Sequence, residues 1–177
     1  MSQTGNFAEL CLYRFGDGVF RNEAGRALQD CPEVLADLHG YWRSRCRGQP
    51  FPARADIDPV DIPALLEHLV LLDVLRDPLD FRYRLVGGHV VAHSRRNVQG
   101  QTVRSLMADG GPRAQALQEK ALIVGEALAT SQAPLFIDLS YGAPDGRSRK
   151  RLQGLLLPLG EPGKAINMVL GGLHYLA

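Results

Sequence analysis

Phe81, Tyr83 and Leu85 alternate with Arg82, Arg84 and Val86, the period-two pattern of a strand with one buried face. Leu69 to Arg76 just before it is strongly apolar, and Asp77-Pro78-Leu79-Asp80 between the two reads as a turn, so the pair predicts a hairpin. Upstream the period changes: Val34, Leu35, Leu38, Tyr41 and Trp42 recur at helical spacing, with Asp30 and Glu33 placed to cap the start and Gly48 after a basic last turn. Gln49 to Ile57 reads as an extended connection, and Asp58-Pro59 opens a short helix through Leu66 that Pro63 must shorten. Small helical pieces follow around His89 to Arg95 and Thr102 to Met107. From Pro112 to Thr130, Ala114, Leu117, Ala121, Val124 and Leu128 predict one longer helix on a core. Three strands close the chain, near Pro134 to Tyr141, Arg149 to Leu159 and Ala165 to Tyr175. Near the start, Leu12 to Phe15 and Val19 to Arg21 flank Gly16-Asp17-Gly18 as a small hairpin.

Two strands, a group of helices and three strands make a segregated α+β order. It predicts a five-stranded antiparallel sheet with helices on one face, preceded by an N-terminal amphipathic helix. Residues 1–48 form the N-terminal extension and 49–177 the main domain. At 177 residues, 45% apolar and 22% charged, the chain suits one domain with a proper core. It has no apolar run of 18 residues, and MSQTGNFAEL is not a signal peptide, so a cytoplasmic, non-membrane protein is expected. Cys11, Cys31 and Cys46 have no paired spacing, which fits a reducing compartment. A net charge of +1 with no recognisable DNA-binding motif argues against nucleic acid. The local clusters Arg43/Arg45/Arg47, Arg95-Arg96 and Arg147/Arg149/Lys150/Arg151 read as solvated surface before they read as a site for an acidic partner surface or an anionic ligand.

Gly87-Gly88 between a strand and a helix stands where nucleotide loops sit, yet it lacks both the spaced glycines of a dinucleotide fingerprint and the Gly-Lys-Ser/Thr of a P-loop. His89 and His93 share a helix face as zinc ligands do, but Val90 occupies the place of the general base. No metal site is expected. A non-catalytic one would need a third ligand from His39, His68, His174 or an acid, none at a recognisable spacing. Asp58 and Asp61 stand where helix caps belong, and no serine lies in Gly-x-Ser-x-Gly. A binding module is therefore expected ahead of a small enzyme or metal-binding protein built on the His89/His93 region.

The segments ARADIDPVDIPALLEHLVLLDV, DFRYRLVGG, NVQGQTV and GLLLPL resemble the short stand-alone PAS proteins of proteobacteria, over about Val34 to the C-terminus. The resemblance implies a cavity between sheet and helices, with Tyr83, His89, His93 and Leu117 as candidates to line it and a small, mainly apolar ligand with one polar end as its occupant. It implies a sensory or adaptor module with no output domain of its own, signalling through an unidentified protein partner. It also implies a homodimer through the first helix, with Val34, Leu38, Tyr41 and Trp42 at the contact; a purely structural homodimer without ligand is the remaining alternative. The cofactor is unknown. A LOV-type flavin adduct is excluded because the helical middle has Asn97-Val98-Gln99 and no cysteine. Haem is disfavoured because Pro112 to Thr130 has no histidine, which leaves only His89 or His93 as an axial ligand.

Overall fold

The computed structural model describes residues 8–94, 96–143 and 145–176. Seven strands form one antiparallel sheet: β1 (Ala8–Gly16), β2 (Val19–Arg21), β3 (Leu69–Leu75), β4 (Asp80–Val86), β5 (Leu135–Gly142), β6 (Arg149–Leu159) and β7 (Met168–Leu176). Their order across the sheet is β2-β1-β5-β6-β7-β3-β4. The five expected strands are contiguous within it. The correction is at the β5 edge, where β1 pairs from Ala8↔Tyr141 to Arg14↔Leu135 and carries β2 outside it. The residues expected as an N-terminal extension are thus bonded into the domain's own sheet, covering an edge that would otherwise expose unpaired backbone groups.

The helices are α1 (Glu33–Cys46), α2 (Gly88–Ser94), α3 (Val103–Asp109) and α4 (Pro112–Ser131), with 3-10 turns at Arg54–Asp56, Pro59–Asp61 and Pro63–His68. None in the described residues is long and apolar enough to cross a membrane. Asp58 caps its turn as expected, accepting from the Val60 N–H at 3.0 Å. Asp61 does not cap. It accepts from the Tyr41 hydroxyl and pairs with Arg45, tying the 3-10 segment to α1. Nor do Asp30 and Glu33 box the start of α1, whose N-cap is Pro32 with no side-chain bond.

Side chains alternate along β7, so neighbouring residues face opposite layers. A Cβ on Gly172 would meet Leu38 and Leu35 of α1 at 2.6 and 2.9 Å, whereas one on Gly171 would meet Val70 and Leu156. Hence α1 covers one face of the sheet and α2 to α4 the other. The β1–β2 hairpin closes over α1, with His39 edge-on to Phe15 and Phe20 at 4.8 and 5.3 Å between ring centres.

This placement takes Leu38 and Trp42 out of the expected dimer contact. Leu38 and Trp42 are only 1% and 4% exposed, and the Trp42 indole N–H donates to the Pro158 carbonyl at 2.9 Å. Tyr41 spends its hydroxyl on Asp58 and Asp61 of its own chain, and Val34 packs against the same core. The apolar stripe satisfies helical periodicity, but its partner is the chain's own sheet.

Gly87 meets the requirement for close approach expected of the glycine pair. A Cβ there would lie 2.3 Å from the Glu67 carbonyl oxygen, while one on Gly88 would meet nothing within 4 Å. Gly87→Ala is therefore expected to cost about 1–3 kcal/mol in a urea denaturation series, as overpacking against backbone does. Gly88→Ala should be neutral or stabilising by up to about 1 kcal/mol. Equal effects at the two positions would contradict the close approach. Trp42→Ala should lose about 3–5 kcal/mol by the same measurement, the cost of emptying a core site.

Candidate functional site

Between the sheet and α2 to α4 lies a cavity of about 430 Å3. The register sets which side chains reach it. Tyr141, Leu139 and Ile137 of β5 stand opposite Lys150, Leu152 and Gly154 of β6, and all but Gly154 line the cavity with Leu173 and Tyr175 of β7. The floor deepens toward Val169, Leu72 and Phe81, which are buried and apolar. Opposite the floor, α4 turns Ala114, Leu117, Ala121, Val124 and Gly125 inward. Ala114, Ala121 and Gly125 are small for a helix facing a sheet, and their size leaves the volume open.

Three of the four residues expected at the cavity line it: Tyr83, His93 and Leu117. Burial pushes the Tyr83 phenol up to about 12 and raises those of Tyr141 and Tyr175 as well, with the neighbouring Tyr141 and Tyr83 adding to the effect at Tyr175. All three are neutral donors at physiological pH. Their hydroxyls make no hydrogen bond among the described residues.

His89 lies just outside the lining and belongs to a histidine seam drawn from three elements. His68 ends the last 3-10 turn, His89 and His93 are on α2, and His174 is on β7. Ring centres are 4.3 Å apart for His68 and His89, 4.3 Å for His89 and His93, and 6.4 Å for His68 and His174; His93 stacks on Tyr175 at 4.5 Å. His68 Nδ1 lies 3.2 Å from the Leu173 carbonyl and His93 Nδ1 2.9 Å from that of His89. Nε2 of His89 and Nδ1 of His174 are buried without a partner among the described residues. The imidazoles sit ring against ring, and among the described residues no three His, Cys, Asp or Glu side chains are placed to hold a metal ion. Spacing shows only the His89/His93 pair; convergence with His68 and His174 comes from strand pairing.

Arginines flanking Lys150 alternate to the other face. Arg151 pairs with Asp138 there and Arg149 donates to Ser140, so both are used within the fold while Lys150 faces the cavity. Arg113, at the start of α4, lines the same cavity with its Nε buried and unpartnered among the described residues. The basic cluster around Lys150 is visible in the sequence, but not which of its members faces inward, and Arg113 carries no motif that would single it out.

Burial, then the charges of His68 and His93, and lastly His174 hold the His89 imidazole below its ordinary value, with Glu67 opposing. A depressed histidine favours the neutral form in the fold. Its contribution is fully present above the unfolded value of 6.5 and is lost as pH falls below it. His39, depressed by burial and by Arg43, acts with the same sign. The urea midpoint should therefore fall from pH 7.5 to pH 5.5, and His89→Asn should flatten that slope while leaving the His39 part. An unchanged slope in the variant would remove the seam as its source.

A family model described as PAS domain matches residues 32–174. No curated protein matches the chain. Among solved structures, an RNA-binding light-oxygen-voltage receptor aligns at 13% identity and a TM-score of 0.47, over 95% of this chain and 38% of that one. A cysteine-to-serine mutant of Vivid aligns at 13% identity and 0.46, over 78% and 99%. A fungal LOV domain photoreceptor aligns at 16% and 0.44, over 82% and 92%. This chain thus spans well under two thirds of the first of these receptors.

Proposed function

The chain belongs to the PAS domain family, a family of sensory modules, and from that membership we propose that it is a small-molecule sensor whose bound state is read by another protein or a second copy. One observation carries the reading: most of the side chains that line the cavity are apolar, and Tyr141 and Lys150, paired across β5 and β6, add polar groups at the end of that hairpin. That arrangement suits a ligand that buries an apolar body and directs one polar group toward the mouth. α2 forms part of the wall and is held by the histidine seam, so occupancy has a direct route to the surface around His68 and Glu67.

Among the described residues no cysteine lines the cavity, and Cys11, Cys31 and Cys46 lie on β1, ahead of α1 and at its end. This supports a ligand held without a LOV-type flavin adduct. His93 is the histidine among the lining residues, and its ring is stacked on Tyr175 with Nδ1 against a carbonyl, a poor start for haem ligation. A non-enzymatic module is favoured for the same reason: the cavity presents cations, phenols and apolar walls, with no nucleophile paired to a base among the described residues.

A metabolite library read by thermal denaturation tests the proposal, with co-purifying mass checked by native mass spectrometry. A true ligand at about 100 times its Kd stabilises by about 2.7 kcal/mol, roughly a 5–10 °C rise in Tm for a domain of this size. Ala121→Leu narrows the cavity and should abolish that rise while the circular dichroism stays folded. Shifts that survive the filling variant would place binding elsewhere.

A further inference from the structure

The chain as a whole balances 20 lysines and arginines against 19 aspartates and glutamates. The cavity does not: Arg96, Arg113, Lys120 and Lys150 line it, and among the described residues no Asp or Glu does. Long basic side chains cover apolar surface wherever they lie, so position and pairing decide what they mean. Lys150 stands directly across from Tyr141 at the end of the β5–β6 hairpin, and both turn into the cavity. No acid pairs with Lys150, Arg113 or Lys120 among the described residues. Asp145, the acid whose field reaches Arg113, is engaged by its own turn: it accepts from the Arg147 N–H at 2.8 Å and from the Ser148 N–H and hydroxyl at 2.9 and 2.7 Å. Arg113 Nε and Gln118 Oε1 are left buried without partners among the described residues. A buried guanidinium N–H with nothing to donate to is costly unless something occupies the site.

On the reading that the cavity binds a small molecule, we propose that its ligand is an amphipathic monocarboxylate: an unbranched aliphatic acid of about eight to twelve carbons, the size class such a volume encloses. The carboxylate lies between Arg113 and Lys150, and the chain runs inward toward Leu72 and Phe81. A planar guanidinium matches a carboxylate's two oxygens, and the free phenols of Tyr141 and Tyr175 stand on the same side to donate to it. The depth of the cavity supplies affinity through apolar contact, and the mouth supplies the choice of charge.

Isothermal titration calorimetry with decanoate, 1-decanol and decyltrimethylammonium at pH 7.5 tests the assignment on the intact chain. Decanoate should bind at least about tenfold more tightly than the alcohol, the ratio that one charge-assisted hydrogen bond supports. The ammonium should bind least. Arg113→Gln combined with Lys150→Gln should bring decanoate down to the alcohol's affinity and leave the alcohol unchanged. In the wild type alone, high salt should weaken decanoate and spare the alcohol, a readout that does not depend on the variant's folding. Equal binding of acid and alcohol would overturn the anion assignment while keeping the cavity reading. A preference that survives the double substitution would overturn the roles of Arg113 and Lys150. Absence of binding by all three compounds, with library hits blocked by Ala121→Leu, would overturn the aliphatic acid alone; absence of any blocked hit would take the cavity reading with it.

Discussion

The packing of β7 between two layers is the constraint on which the rest of this structure depends. Gly171 and Gly172 are adjacent in a strand that is buried on both faces, and each gives up its side chain to a different neighbour: Val70 and Leu156 press on one side, Leu35 and Leu38 on the other. Glycine inside a strand normally weakens it, so two in a row mark close approach from both layers. With α1 seated against Gly172, the far face of the sheet is closed by the chain itself, and Trp42 is anchored to the Pro158 carbonyl. The β1–β2 hairpin then has a surface to fold onto, through Phe15, Phe20 and His39.

That division leaves the other face free to be incompletely filled. Where α1 crosses β7, Leu35 and Leu38 lie so close to Gly172 that a Cβ there would meet them at 2.9 and 2.6 Å. On the cavity side α4 offers alanines and Gly125, and it comes closest to the sheet at Phe81, whose ring would clash with any Cβ at Gly125. Gly125 thus lets α4 approach Phe81 among the apolar lining, and Arg113 lines the same cavity from the start of the helix. A domain of this size can leave such a volume open because stability is supplied elsewhere, in the α1 layer and the long β5, β6 and β7 pairings.

The mouth joins two kinds of chemistry. Cations from α4 and β6 line the cavity together with Tyr175, and His93 of the histidine seam stacks on that ring. Protonating His89 adds positive charge beside a cavity that basic residues line with no Asp or Glu among the described residues. On the proposed reading, low pH would weaken the packing of α2 and a bound anion would oppose it, which couples the two effects through the same wall of the cavity.

Much of the fold is legible in the order of the residues alone. The period-two runs, the helical stripe of α4, the Asp77-Pro78 and Gly160-Glu161 turns and the glycine pair are local signals, because strand alternation, helix spacing and turn chemistry involve residues within a few positions of one another. Tyr83 and Leu117 reach the cavity for the same reason, Tyr83 in phase with Phe81 and Leu117 on the face of Ala121, Val124 and Leu128, whereas His93 reaches it from an exposed position of α2 by stacking on Tyr175. What the sequence leaves open is always a question of partner. The stripe of Val34, Leu38, Tyr41 and Trp42 announces that something apolar will cover it, and only the tertiary structure decides that the cover is β6 and β7 of the same chain. His68 and the Leu173 carbonyl are 105 residues apart, yet strand pairing puts them 3.2 Å from each other beside His89. Lys150 differs from its arginine neighbours only in phase, and the pairing register with β5 determines which of them faces inward. A single sequence records each residue's local period; which face closes, and on what, is settled by contacts between elements far apart in the chain.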